Sequence, residues 1–133
     1  MPDGRPDGKT AFRVDARDVA RVGWDDPARG TITWQTLLSS DATPSSELVC
    51  GIAHLRAGDS FTFHHHQQAE VYFGISGHVV VTVNGVEHAL GPEVTLFIPP
   101  NAVHGIVQAT EDVRFFYTFA ADSFADITYH FPS

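Results

Sequence analysis

Three histidines stand in a row, His64, His65 and His66, with Glu70 four residues after His66 and a further histidine, His104, downstream. In a β-strand, side chains at i and i+2 share a face, so His64 and His66 point together while His65 points away. A carboxylate brought in by the next strand and an imidazole following the Pro99–Pro100 turn would complete a four-ligand shell. Three neutral imidazoles and one carboxylate suit a divalent transition metal (iron, manganese, nickel, cobalt or zinc) and leave room for water or substrate. Tyr72 has the parity of Glu70 and belongs on the same inward face. A bare histidine run reads equally well as a surface patch, so the surrounding elements have to decide.

Those elements are almost all short strands. Thr31 to Leu38 is β-branched and aromatic, and Ser39 to Ser46 is a polar loop. Leu48–Leu55, Phe61–His64, Val71–Ile75, Val79–Val83, Val94–Ile98 and Val113–Phe119 each have strand composition. Asn84-Gly85 between VVVTV and VEHAL is a strong hairpin signal, because both turn positions need positive φ. For Phe12 to Trp24 a short strand and one helical turn fit equally. A short helix is expected only in Ala120 to Asp126. Many strands at spacings of about 8–12 residues predict an all-β sandwich or barrel.

Composition narrows the function classes. The 133 residues, 43% hydrophobic, predict one domain over 11–133 behind a flexible N-terminal arm over 1–10. Sixteen acidic residues against eight basic ones leave a net charge of −8, a poor partner for nucleic acid or an anionic membrane. The single cysteine, Cys50, excludes an internal disulfide framework and reads as an inert core residue. With no leader and no apolar run of membrane-spanning length, the expectation is a cytoplasmic protein.

The spacing Gly58-x5-His64-x-His66-x3-Glu70-x6-Gly77 resembles the first cupin motif at every position. Pro99, Pro100, Asn101 and His104 resemble the second, with Asn101 where glycine is usual and Gln108 at its closing asparagine. The strict pattern would also place a glycine where Glu93 stands. This resemblance, carried by residues 48–120, implies an antiparallel jelly-roll barrel of roughly six to eight strands, with a metal on His64, His66, Glu70 and His104. It also implies a homodimer. The run HHHQQAEVY is similar to the ligand segment of short cupin dimethylsulfoniopropionate lyases, in which a tyrosine two residues after the ligand glutamate is the base.

The resemblance therefore implies a metal-dependent enzyme acting on a small, carboxylate-bearing molecule, with Tyr72 as the catalytic base of a β-elimination. The alternatives are another metal-cupin enzyme (dioxygenase, sugar isomerase or polyketide cyclase) and a non-catalytic small-molecule-binding cupin. For Tyr72 the plainer role is a barrel-lining aromatic. Trp34, Phe63, Tyr117 and Tyr129 are placed along the cavity or in plain core. Gln68 shares the ligands' parity and is placed either to touch substrate or to take a ligand role. His54 is either a second acid/base or a polar wall residue. Arg56 and Arg114 are the cationic strand residues nearest the expected mouth, while His65, His78, His88 and His130 belong to the surface or rim.

Overall fold

The computed structural model describes residues 9–132. The expected N-terminal arm over 1–10 lies outside the described residues apart from Lys9 and Thr10. Ten strands follow: β1 (Val22–Gly23), β2 (Thr33–Leu38), β3 (Val49–Leu55), β4 (Phe61–His64), β5 (Glu70–Ser76), β6 (Val79–Val83), β7 (Val86–Leu90), β8 (Thr95–Ile98), β9 (His104–Ile106) and β10 (Val113–Phe119). They form a six-stranded antiparallel sheet, β1-β2-β3-β10-β5-β8, and a four-stranded one, β4-β9-β6-β7. The all-β jelly roll is as expected. Its strand count exceeds the expectation through β1 and β9, of two and three residues, too short to carry a periodic signal. Helix among the described residues is confined to single 3₁₀ turns at Ala16–Asp18, Pro27–Arg29 and Phe124–Asp126.

Alternation fills the interior. In β10, Val113, Phe115, Tyr117 and Phe119 are buried, while Arg114 between them is exposed. They share one core with Val79, Val81 and Val83 of the second sheet. The segment Phe12–Trp24 contains both elements that fitted it, the turn Ala16–Asp18 and then β1. The Gln35 side-chain amide donates to the carbonyls of Ala16 (2.6 Å) and Val19 (2.8 Å), fastening this segment to β2.

Two turns set the position of His104. Asn84 and Gly85 both have positive φ, 47° and 79°, as a two-residue hairpin requires. The Asn84 amide donates to the Val103 carbonyl (2.7 Å), and Asn84 Oδ1 accepts from the Val103 amide (3.0 Å), which pins the hairpin beside His104. After Pro99-Pro100, Asn101 has φ 62° and donates its amide to the His66 carbonyl at 2.8 Å. Asparagine thus serves where glycine is usual, because it tolerates the left-handed region.

Glu93, at the other glycine-preferring position, also has positive φ, 67°. Its turn packs closely on β5: the Glu93 amide donates to the Gly74 carbonyl and the Gly74 amide to the Val94 carbonyl, each at 2.9 Å. A Cβ on Gly74 would collide with the Gly91 carbonyl oxygen. Gly74→Ala is therefore expected to cost about 3 kcal/mol, since backbone rather than a flexible side chain has to yield. Glu93→Gly is expected to add roughly 0.5–1 kcal/mol by relieving the left-handed penalty. The midpoints of urea unfolding check both.

Candidate metal centre and its cavity

β4 ends on His64, His66 follows in the loop to β5, β5 opens on Glu70, and β9 opens on His104. His64 and His104 face each other across the β4–β9 pair. The ligand atoms of His64, His66 and His104 lie within 4.8 Å of one another, an arrangement that could hold a metal ion. Glu70 Oε1 is 3.3 Å from His66 Nε2 and 3.3 Å from His104 Nε2. None of the four residues is more than 4% exposed.

The proton positions follow from the backbone. Nδ1 of His64 meets the Thr62 carbonyl at 2.7 Å, that of His66 the Gln68 carbonyl at 3.0 Å, and that of His104 the Ala102 carbonyl at 2.9 Å. A carbonyl only accepts, so each Nδ1 carries a proton, and a ring in its neutral form presents a bare Nε2. All three Nε2 atoms and Glu70 Oε1 are buried without a hydrogen-bond partner. Burial, and next the neighbouring His104, pushes His64 down to about 2, so this ring stays neutral at ordinary pH. Buried lone pairs converging on one point fit a divalent cation.

The inward faces of the strands wall a cavity beside this cluster. Trp34, Tyr72 and Tyr117, all expected there, line it, and so do Glu70 and Phe119. Tyr72 and Tyr117 are cross-strand partners, and Tyr72 stands edge-on to His104 with ring centroids 6.2 Å apart. Burial, and next the Glu70 carboxylate, raises the Tyr72 phenol well above its ordinary value. Burial raises the Tyr117 phenol in the same direction. The space open to the centre of a water molecule is small, about 30 Å³.

The tail closes one side. Tyr129, placed on the cavity from sequence, lines it and packs on both His64 and His66 at 5.3 Å between ring centroids. Phe131 lies 5.4 Å from His64. This segment is held by a two-way backbone bridge between His65 and His130 (3.0 and 2.9 Å), whose rings stack. Trp24, from the N-terminal segment, and Phe124 complete the wall, although neither lies in a periodic run.

Three expected pocket residues lie elsewhere. Phe63 is displaced by a register shift between Phe61 and His64, which puts an extra residue in β4. Phe61 and His64, three apart, therefore both face inward and stack at 4.1 Å, while Phe63 lies over Gly105. His54 is on the outer face of β3, since its neighbour Ala53 lines the cavity, and its Nε2 donates to Gln35 Oε1 at 2.6 Å. Gln68 lines a separate polar depression with Asn101 and His130, and it reaches the centre only through the carbonyl that holds His66. Arg56 and Arg114 are likewise on the outer side, around His54.

A barrel of this topology with a buried histidine cluster defines a class, and the sequence comparison agrees. The chain belongs to the cupin domain family, whose model matches residues 51–119, from within β3 to the end of β10. It is 38% identical over 120 residues to the dimethylsulfoniopropionate lyase DddW of Ruegeria pomeroyi, covering 90% of this chain and 79% of that protein. Among solved structures, the polyketide cyclase RemF of Streptomyces resistomycificus superposes with a TM-score of 0.78 at 18% identity, over 93% of this chain and 87% of that one. A chain from the crystal structures of the DMSP lyases RdDddP and RnDddQII gives 0.72 at 18% identity, over 86% of this chain and 63% of that one. At such identities the structural likeness speaks for the fold. No helix among the described residues is long and apolar enough to cross a membrane.

Two measurements probe the centre. Manganese or zinc at about a hundredfold excess over its Kd is expected to stabilise the fold by roughly 2.7 kcal/mol, and His104→Ala is expected to abolish this in a thermal-shift titration. In metal-free protein the unfolded chain protonates His64 below about pH 6.5, while the fold keeps it neutral down to about 2. Stability is therefore expected to fall as pH drops below 6.5, with a shallower slope in His64→Asn, as read by denaturant midpoints across pH 4–7.

Proposed function

We propose that this chain is a metal-dependent lyase that removes a β-substituent from a small carboxylate-bearing molecule. The proposed substrate is dimethylsulfoniopropionate, the compound in the name of its Ruegeria pomeroyi relative. The observation that carries this reading is a cavity with an aromatic wall, no lysine or arginine, and Glu70 as its one charged lining residue. Trp24 and Trp34 meet at 4.9 Å between ring centroids, and Tyr129 is 5.0 Å from Trp24. Aromatic faces attract a desolvated cation, which a sulfonium group supplies. A site for a simple anion would be expected to offer a basic side chain instead.

A divalent cation on His64, His66, Glu70 and His104 would bind the substrate carboxylate as a Lewis acid and stabilise negative charge developing on the α-carbon. The aromatic wall orients the sulfonium end and keeps water away from it. Tyr72, on the face of β5 that carries Glu70, takes the α-proton. The electrons of that C–H bond form the new C=C bond, and the C–S pair leaves with sulfur. The products are dimethyl sulfide and acrylate, and the proton passes from Tyr72 to solvent. Burial and Glu70 hold the phenol proton tightly, so this base is silent unless positive charge stands near Glu70.

The test is metal-loaded protein incubated with dimethylsulfoniopropionate under nitrogen, with acrylate and dimethyl sulfide quantified. Product is expected without oxygen, and its absence overturns the proposal. Tyr72→Phe is expected to keep its metal and lose about 100-fold or more in kcat; undiminished turnover removes Tyr72 from the role. Trp34→Leu is expected to act mainly on KM, by about tenfold.

A further inference from the structure

A second recess lies on the other side of the six-stranded sheet, and its chemistry is the opposite. In register across four strands stand Thr33 of β2, His54 of β3, Arg114 of β10 and Ser76 of β5. Arg56, two residues after His54, and Arg21, just before β1, border the same recess of about 460 Å³. Three of the chain's seven arginines thus gather at one place in a protein of net charge −8. Their guanidinium groups make no hydrogen bond or ion pair with another described residue.

The carboxylates at the rim are already engaged. Asp59 Oδ2 accepts from the Arg56 backbone amide (2.8 Å), and Asp112 Oδ1 accepts from the Ala57 amide (3.1 Å), bonds that shape the turn after β3. At the centre His54 is only 6% exposed. Its Nε2 proton is committed to Gln35 Oε1, and Gln35 is itself fixed to Ala16 and Val19, so the ring is held rigidly and keeps Nδ1 for a ligand. Guanidinium and hydroxyl groups around one hollow amount to a donor-rich cradle.

We propose that this outer recess is a second ligand site, built on Arg21, His54, Arg56 and Arg114, that binds a compact oxyanion, either a phosphate group or a paired carboxylate. Burial first, and then the charges of Arg21 and Arg114, push His54 down to about 4. A bound anion would offset the two arginines and let His54 protonate and donate through Nδ1 as well. In the aromatic cavity the same ligand would meet no basic side chain among the lining residues. The two sites divide the chemistry between the two faces of β3, with Ala53 facing in and His54 facing out.

Titration calorimetry on the metal-loaded protein, with inorganic phosphate and with malonate, tests this. Saturable binding of either is expected, and the tighter of the two names the group. Arg21→Gln and Arg114→Gln are each expected to weaken it about tenfold, while Arg17→Gln, on an exposed arginine paired with Asp15, leaves it unchanged. Thermal unfolding of each variant separates lost binding from lost fold. Binding of neither ion overturns the proposal. So does an affinity that is equal in all the arginine variants and lost in His104→Ala, because the anion then sits at the histidine cluster.

Discussion

Three imidazole Nε2 atoms and a carboxylate oxygen, all buried and without a hydrogen-bond partner, set the terms for the rest of the barrel. Such a convergence is unfavourable on its own, since each acceptor has left water and found no donor. It persists because the backbone dictates it: three carbonyls take the Nδ1 protons and aim the opposite nitrogens at one another. Those carbonyls belong to a strand, a loop and a turn. The Pro99–Asn101 turn, bonded to the His66 carbonyl, and the Asn84 hairpin, bonded to Val103, are what hold that backbone still. Turn chemistry far from any ligand is thus part of the centre's geometry.

Around this point the barrel separates two kinds of surface by strand parity alone. Inward positions of β3, β5 and β10 are aromatic, aliphatic or glycine, with Glu70 the charged exception, while His54 and Arg114 face outward and Arg56 and Arg21 lie just beyond strand ends. A molecule entering the cavity therefore meets π-faces, one tyrosine beside the Glu70 carboxylate, and the histidine cluster.

Much of this was legible in the sequence, and the exceptions have physical reasons. Period-two alternation placed Trp34, Glu70, Tyr72 and Tyr117 on the inner face, and Asn84-Gly85 announced its hairpin. Alternation failed at Phe63 because the extra residue in β4 resets the parity between Phe61 and His64, and nothing in FTFH marks a bulge. His54 sits beside Ala53 and Leu55 in a strand buried on both faces, so composition could not say which way it points. Trp24 and Phe124 come from segments without a period, and only tertiary packing brings them to the wall. Glu93 and Asn101, departures from the expected glycines, adopt the backbone that glycine would have supplied.

The aromatic wall has one more consequence. The chain has two tryptophans, Trp24 and Trp34, and both border the cavity with their rings in contact. The intrinsic fluorescence of the whole protein therefore originates beside the histidine cluster. A paramagnetic ion or a guest entering there would quench or shift that emission, giving the protein a built-in optical gauge of its own interior.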